Sequence, residues 1–223
     1  FLLKRVSGRL EYSREGVFLK SMEGDVQNEG RQSHGEIDAF FGVGNAKKRI
    51  NLNIPNFNIT KKLMKMIPDG EKVWNDYKPE GNIDLTIKYE SNEDKSVADY
   101  SAQAICNGIK VRHPSFPYDI SNVIGLLKMD GEKIYLQNMS GYLQNGARTN
   151  LVTFDGIVNI KSKEKRFAIS IPNLELTEEI ITSIPKKGEE IWSQNKPTGQ
   201  VDLTIEYTGY EDSSKDEYIV TAD

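Results

Sequence analysis

A single cysteine, Cys106, and two histidines, His34 and His113, are all that 223 residues carry of the side chains most used for metal binding and nucleophilic chemistry. One cysteine excludes an intrachain disulfide framework and leaves the redox compartment open. No H-x-x-x-H, no paired C-x-x-C and no cluster of carboxylates offers metal-ligand spacing. Gly42-Val43-Gly44 lacks both the third glycine and the strand-to-helix setting of a dinucleotide site. Neither G-x-x-x-x-G-K-S/T nor G-x-S-x-G occurs. No apolar run approaches the roughly 20 residues that span a bilayer as a helix. The net charge is −4 with both signs interspersed, which gives no reason to expect nucleic acid. The basic clusters Lys47-Lys48-Arg49 and Lys161 to Arg166 read as solvated loop tips. The expectation is a protein that is not an enzyme and uses neither metal nor cofactor.

What the chain does have is a long internal repeat. Ile54-Pro55-Asn56-Phe57-Asn58-Ile59-Thr60 returns as Ile171-Pro172-Asn173-Leu174-Glu175-Leu176-Thr177, an offset of 117 residues that holds to Pro68 and Pro185. From Trp74 and Trp192 onward the offset is 118, and nine of the sixteen positions from Trp74 to Tyr89 are identical in the second copy. Gly8, Leu10, Leu19, Met22 and Gly24 align with Gly125, Leu127, Leu136, Met139 and Gly141. Downstream, Glu93-Asp94 aligns with Glu211-Asp212 and Tyr100 with Tyr218. Such a period implies a modular, elongated architecture. The expected organisation is a first unit at 1–97 lacking its beginning, a second at 98–215 and the start of a third at 216–223, all sharing one continuous sheet. A segment of a longer tandem array would have this form.

Local patterns are mainly those of strands. Ile50–Ile54 and Phe167–Ile171 alternate strictly between apolar and polar residues, and Ile83–Tyr89 and Val201–Tyr207 do so over seven positions each. A period of two puts all apolar side chains on one face. Further strands are expected at Val17–Lys20 with Ile134–Gln137, around Val26 and Leu143, at Gly35–Phe41 with Leu151–Ile160, and at Tyr100–Val111. Glu15-Gly16, Glu29-Gly30, Asp130-Gly131 and Asn145-Gly146 punctuate them, which favours an antiparallel meander. Each unit has one helical interruption, near 60–76 and 177–194. Thr60 and Thr177 are placed to cap it, and Leu63, Met64 and Ile67, matched by Ile180, Ile181 and Ile184, give it an apolar stripe. Pro68 and Pro185 should end the first helix, and a second should carry Trp74 or Trp192 onto the sheet as packing anchors. Asp84 and Asp202 recur in the outward phase of matching strands, which points to a structural duty.

The I-P-N-x-x-I/L-T and W-x-x-x-K-P-x-G-x-I/V-D-L patterns resemble the bacterial AsmA-like family, the AsmA, TamB and YhdP type akin to bridge-like lipid-transfer proteins. So do Phe116-Pro117-Tyr118-Asp119-Ile120-Ser121-Asn122-Val123-Ile124-Gly125-Leu126-Leu127 and Ile134–Gly141 with its counterpart Val17–Gly24. The resemblance implies a mainly β fold: a tandem-repeat, curved, open antiparallel sheet with one short helical segment per repeat. Its apolar groove would carry phospholipid or other acyl lipid. It further implies a periplasmic setting, a parent protein anchored in the inner membrane, partners in the inner and outer membranes reached through that parent, and a part in outer-membrane biogenesis.

On this expectation Ile50, Leu52, Ile54, Ile83, Leu85, Ile87, Phe167, Ile169, Ile171, Val201, Leu203 and Ile205 line the groove. Asp84, Thr86, Asp202 and Thr204 face the other way. Leu85→Asp or Leu203→Asp would then interrupt lipid passage while the sheet still folds. The alternative is a structural spacer whose helices and curvature seal the same apolar face as a dry core.

Overall fold

The computed structural model describes residues 2–43, 47–67, 69–91, 98–112, 118–145, 148–184 and 187–223. Pro68, Pro185, Gly44, Glu93-Asp94, His113, Phe116-Pro117 and Gly146 fall outside them. The strands are β1 (Leu2–Tyr12), β2 (Gly16–Asn28), β3 (Arg31–Gly42), β4 (Lys48–Asn58), β5 (Asn82–Ser91) and β6 (Ala98–Arg112). They continue as β7 (Asp119–Asp130), β8 (Lys133–Asn145), β9 (Arg148–Asn159), β10 (Lys165–Glu175), β11 (Gln200–Gly209) and β12 (Glu217–Ala222). All twelve form one sheet in sequence order, each antiparallel to its neighbours. The protein is thus mainly β, an open, curved antiparallel sheet with few short helices. Val26 and Leu143 prolong β2 and β8 rather than starting new strands.

Two helix pairs interrupt the meander, α1 (Lys61–Met64) with α2 (Gly70–Tyr77) and α3 (Glu178–Thr182) with α4 (Gly188–Asn195). The hydroxyl of Thr60 accepts from the Leu63 N–H at 3.2 Å and that of Thr177 from the Ile180 N–H at 3.3 Å, so each satisfies an orphan donor of its first turn. Glu178 and Glu179 lie in the first turn of α3, where the helix dipole favours acid. Both second helices stop at a lysine in left-handed conformation, Lys78 at φ 43° and Lys196 at φ 42°, with proline next.

The curvature has a repeated local source. Asn56 and Asn173, both at φ 51°, sit at a register shift that lets Ile54 and Phe57, or Ile171 and Leu174, face successive partners. Ser21 at φ 47° and Asn138 at φ 52° mark equivalent shifts in β2 and β8. A bulge removes an N–H from the ladder and sharpens the local bend. A carboxylate of the next strand receives each of these freed donors. Asp84 Oδ1 accepts from Asn56 N and Asp202 Oδ1 from Asn173 N at 2.8 Å, while Asp38 Oδ1 accepts from Ser21 N and Asp155 Oδ1 from Asn138 N at 2.7 Å. Gly8 and Gly125 open the same bends from the neighbouring strand. Their φ angles are 146° and 139°, and a Cβ on either would run into the sulfur of Met22 or Met139.

The core lies on one face of the sheet, beneath the helix pairs. Ile54, Phe57, Ile83, Leu85, Cys106 and Val123 pack with Leu63 of α1 in one buried cluster. Leu143, Val152, Ile171, Leu174 and Leu203 pack with Ile180 of α3 in another, and Phe154 and Ile120 touch both. Trp74 is half-buried against the first cluster. Trp192 is half-buried too but is not among the side chains packed on the second cluster, so the repeated tryptophans are not equivalent anchors.

Candidate functional site

The candidate site is the helix-bearing face, and cross-strand register defines it. Directly opposite residues of an antiparallel pair share a face. In the first unit Leu52 lies opposite Ile87 and Ile54 opposite Leu85, while beyond the bulge Phe57 lies opposite Ile83. Ile50 lies opposite Tyr89. In the second, Phe167 meets Tyr207, Ile169 meets Ile205, Ile171 meets Leu203 and Leu174 meets Val201. All twelve sequence-predicted groove residues therefore lie in paired rows of the same alternating phase. Asp84 and Thr86, or Asp202 and Thr204, alternate onto the other side.

The rows run across the junction between the repeats. One passes from Ile54 through Leu85, Ala104, Leu127, Leu136 and Gly156 to Phe167, Tyr207 and Tyr218, nine strands without a charged side chain. At Gly156 the ring of Phe167 occupies the space a side chain would take. Phe167 and Tyr207 stack with centroids 6.1 Å apart, and Tyr207 tilts against Tyr218 at 4.9 Å. A second row links Ile37, Leu52, Ile87, Ala102, Met129, Ile134 and Val158 and ends at Lys165.

Cover over these rows is uneven. Ile54, Ile83, Leu85, Ile171 and Leu203 are buried under the helices. Ile50, Leu52, Ile87, Phe167, Ile169, Val201 and Ile205 are only half-buried. One ionic link joins the α1–α2 connection of the first unit to the β9–β10 turn of the second, where Lys163 Nζ donates to Asp69 Oδ2. That hydrogen bond, with burial opposing it, holds the Asp69 carboxyl below its ordinary range. Two shallow surface depressions, beside Tyr210 and Lys215 and around Ile67 and Lys72, are lined largely by polar and charged side chains.

The chemistry of the site is that of an apolar surface. Cys106 faces the first cluster at 1% exposure, and burial pushes its thiol up to about 11, so it is not a thiolate at neutral pH. Burial, then the hydrogen bond to Asp216 at 3.0 Å, raises the Tyr207 phenol well above its usual range; Asp216, Tyr218 and Tyr77 add to the shift. His34 lies on the outer face, its Nδ1 3.5 Å from Asp25 Oδ1 and its Nε2 3.6 Å from Glu23 Oε2. Arg5 also pairs with Asp25, and its hydrogen bond is the main cause holding that carboxyl below the ordinary range. Among the described residues no group of three His, Cys, Asp or Glu side chains could hold a metal ion, and no helix is long and apolar enough to cross a membrane. The basic cluster at Lys47 lies at the β3–β4 turn, where Lys47 pairs with Glu90. The second basic cluster spans the β9–β10 turn, with Lys161 3.3 Å from Glu132.

One feature of the outer face escaped the sequence reading. Ile105, Ile124, Tyr142 and Leu151 are exposed there, with Ile105 opposite Leu126 and Tyr142 opposite Leu151. The first unit carries Ser7, Asp25 and His34 at the positions of Ile124, Tyr142 and Leu151. All three polar-to-apolar exchanges stand in the repeat alignment, but only the strand register shows that the three positions adjoin. Comparison of the chain with protein-family models, with curated proteins and with solved structures finds no match.

Proposed function

We propose that this chain is a lipid-binding segment of a bridge-like lipid-transport protein, with acyl chains lying along the half-buried rows of the inner face. The observation that carries the reading is the apolar row from Ile54 to Tyr218, unbroken by charge across nine strands and both repeats. An acyl chain on that face loses water contact at about 0.8 kcal/mol per buried methylene, with no need of a directional partner. A headgroup stays in solvent. On this reading the setting is the periplasm, the parent protein is held in the inner membrane, and phospholipid passes between inner and outer membranes as part of outer-membrane biogenesis.

A structural spacer is the second reading. It is favoured by the helix cover over Leu85 and Leu203 and by the Lys163–Asp69 link between repeats. Crosslinking with a photoactivatable phospholipid, followed by mass spectrometry of the labelled peptides, separates the two. A conduit places the label on β4–β5 and β10–β11 inner-face residues such as Leu52, Ile87 and Ile205. No label above that of a soluble control protein leaves the spacer.

A further inference from the structure

The helix pairs α1–α2 and α3–α4 occupy equivalent places in the two repeats, yet their outward side chains differ in kind. Lys61, Lys62, Met66 and Lys72 stand where the second unit has Glu178, Glu179, Ser183 and Glu190, and Lys65 stands where it has Thr182. Between 61 and 73, four lysines outnumber Asp69 and Glu71 by two. Between 178 and 191, four glutamates outnumber Lys186 and Lys187 by two. Both pairs keep what the fold uses: a threonine cap, Leu63 or Ile180 in the core, and Gly70 or Gly188, where a Cβ would strike a main-chain carbonyl. Since the second pair folds without them, the lysines and Met66 answer to something other than folding.

Exposure separates the two pairs as well. Met66, Ile67 and Val73 are 69%, 36% and 37% exposed. Their counterparts are Ser183 and the half-buried Ile184 and Ile191. Ile67 borders one shallow surface depression together with Lys65, Gly70 and Lys72. Both carboxylates of the first pair already meet cations: Glu71 lies 4.0 Å from Lys61 and 3.5 Å from Lys65, and Asp69 accepts from Lys163. What remains is a small apolar surface set among surplus ammonium groups. Three exposed side chains fall far short of the roughly 800 Å² per partner that a stable protein interface buries. A lipid surface needs no such area, because each apolar side chain entering the headgroup layer and each lysine near it adds its own increment. Charge then selects an anionic surface, which the acidic α3–α4 pair would repel.

We infer that the α1–α2 helix pair docks on an anionic lipid surface, with Met66, Ile67 and Val73 entering the headgroup layer and Lys61, Lys62, Lys65 and Lys72 meeting its phosphates. The contact is made with the face of a bilayer, and it holds whether or not the inner-face rows take up acyl chains.

Vesicle flotation of the purified chain tests it. The wild type should float with vesicles of phosphatidylcholine mixed with phosphatidylglycerol and not with phosphatidylcholine alone. At about 1 M salt the Debye length shrinks to about 3 Å, and binding should fall severalfold. Lys72→Gln should weaken partitioning about fivefold, and Met66→Ser severalfold with an unchanged salt dependence. Giving the first pair the second pair's residues (Lys61→Glu, Lys62→Glu, Lys65→Thr, Met66→Ser and Lys72→Glu together) should abolish flotation. Circular dichroism checks that this variant folds; if it does not, the two single substitutions decide. Ile87→Asp, which changes the inner-face row and leaves the helix pair intact, should float like the wild type. A wild type that ignores phosphatidylglycerol overturns the inference, as does one that floats equally with neutral vesicles. So does a folded five-residue exchange that still floats, which would assign the contact to another surface such as the outer patch at Tyr142 and Leu151. Loss of flotation in a folded Ile87→Asp would place the contact on the inner-face rows and overturn it too.

Discussion

Placing a carboxylate on the inner face distinguishes an open groove from a sealed core, and the structure dictates where to place it. Leu85→Asp and Leu203→Asp, the substitutions that side-chain phase alone suggests, do not discriminate. Both leucines are buried under helices, at 9% and 7% exposure. Removing either side chain costs about 2–5 kcal/mol, and the new carboxylate adds the cost of burying an unpaired polar group, so the total approaches the whole 5–15 kcal/mol stability of a typical domain. Those variants unfold under either reading. Ile87 and Ile205 lie on the same face in the adjoining rows but are only half-buried, so water can reach a carboxylate there. Ile87→Asp and Ile205→Asp should each cost about 1–2 kcal/mol, the range for losing part of a hydrophobic contact. Urea titration should show folded proteins with modestly lowered midpoints. Photo-crosslinking to phospholipid should fall to background, because a charge now stands across an apolar path. Thr204→Asp, exposed on the outer face, is the control and should change neither readout. If Ile87→Asp unfolds the chain as Leu85→Asp does, the face is a sealed core. If it folds and still captures lipid like the wild type, lipid does not travel along these rows.

Asp84→Ala and Asp202→Ala should each cost about 1–2 kcal/mol in urea titration, because a charge-assisted acceptor is lost from the Asn56 or Asn173 bulge N–H while solvent supplies partial replacement; no loss would mean that the bulges need no acceptor. Trp74→Ala should cost about 2–3 kcal/mol and Trp192→Ala about 1 kcal/mol, below the 3–5 kcal/mol of a fully buried aromatic, since only Trp74 packs on a core cluster; equal losses would contradict the inequivalence. Asp25, Asp69, Asp84 and Asp119 all have carboxyls held below the ordinary range, chiefly by Arg5, Lys163, the Asn56 N–H and Lys110 respectively. A depressed carboxyl favours the folded state when ionised, so its contribution is complete above the unfolded value of about 3.9 and disappears as pH falls through the lower folded value. The urea midpoint should be level from neutral pH down to about 5 and fall below about 4, whereas a midpoint that rises on acidification would refute the assignment.

Strand phase was legible in the sequence because it is a local property. The alternation of Ile50–Ile54, Ile83–Tyr89 and their copies set which side chains share a face, and Thr60 and Thr177 announced the helix starts by residue type and position. The duplication supported a shared sheet because equal units with equal phases can continue one ladder. Cover is not local, and only the tertiary structure decided it. Leu85 and Ile87 are two residues apart with the same phase, yet one lies under α1 and its neighbours while the other is half open. Asp84 reads as an ordinary outward carboxylate until the fold brings the Asn56 N–H, 28 residues away, within 2.8 Å. The Lys163–Asp69 link spans 94 residues, and the outer patch at Ile124, Tyr142 and Leu151 draws on three strands. Periodicity states which way a side chain points; what meets it there depends on bends and contacts between segments distant in the chain.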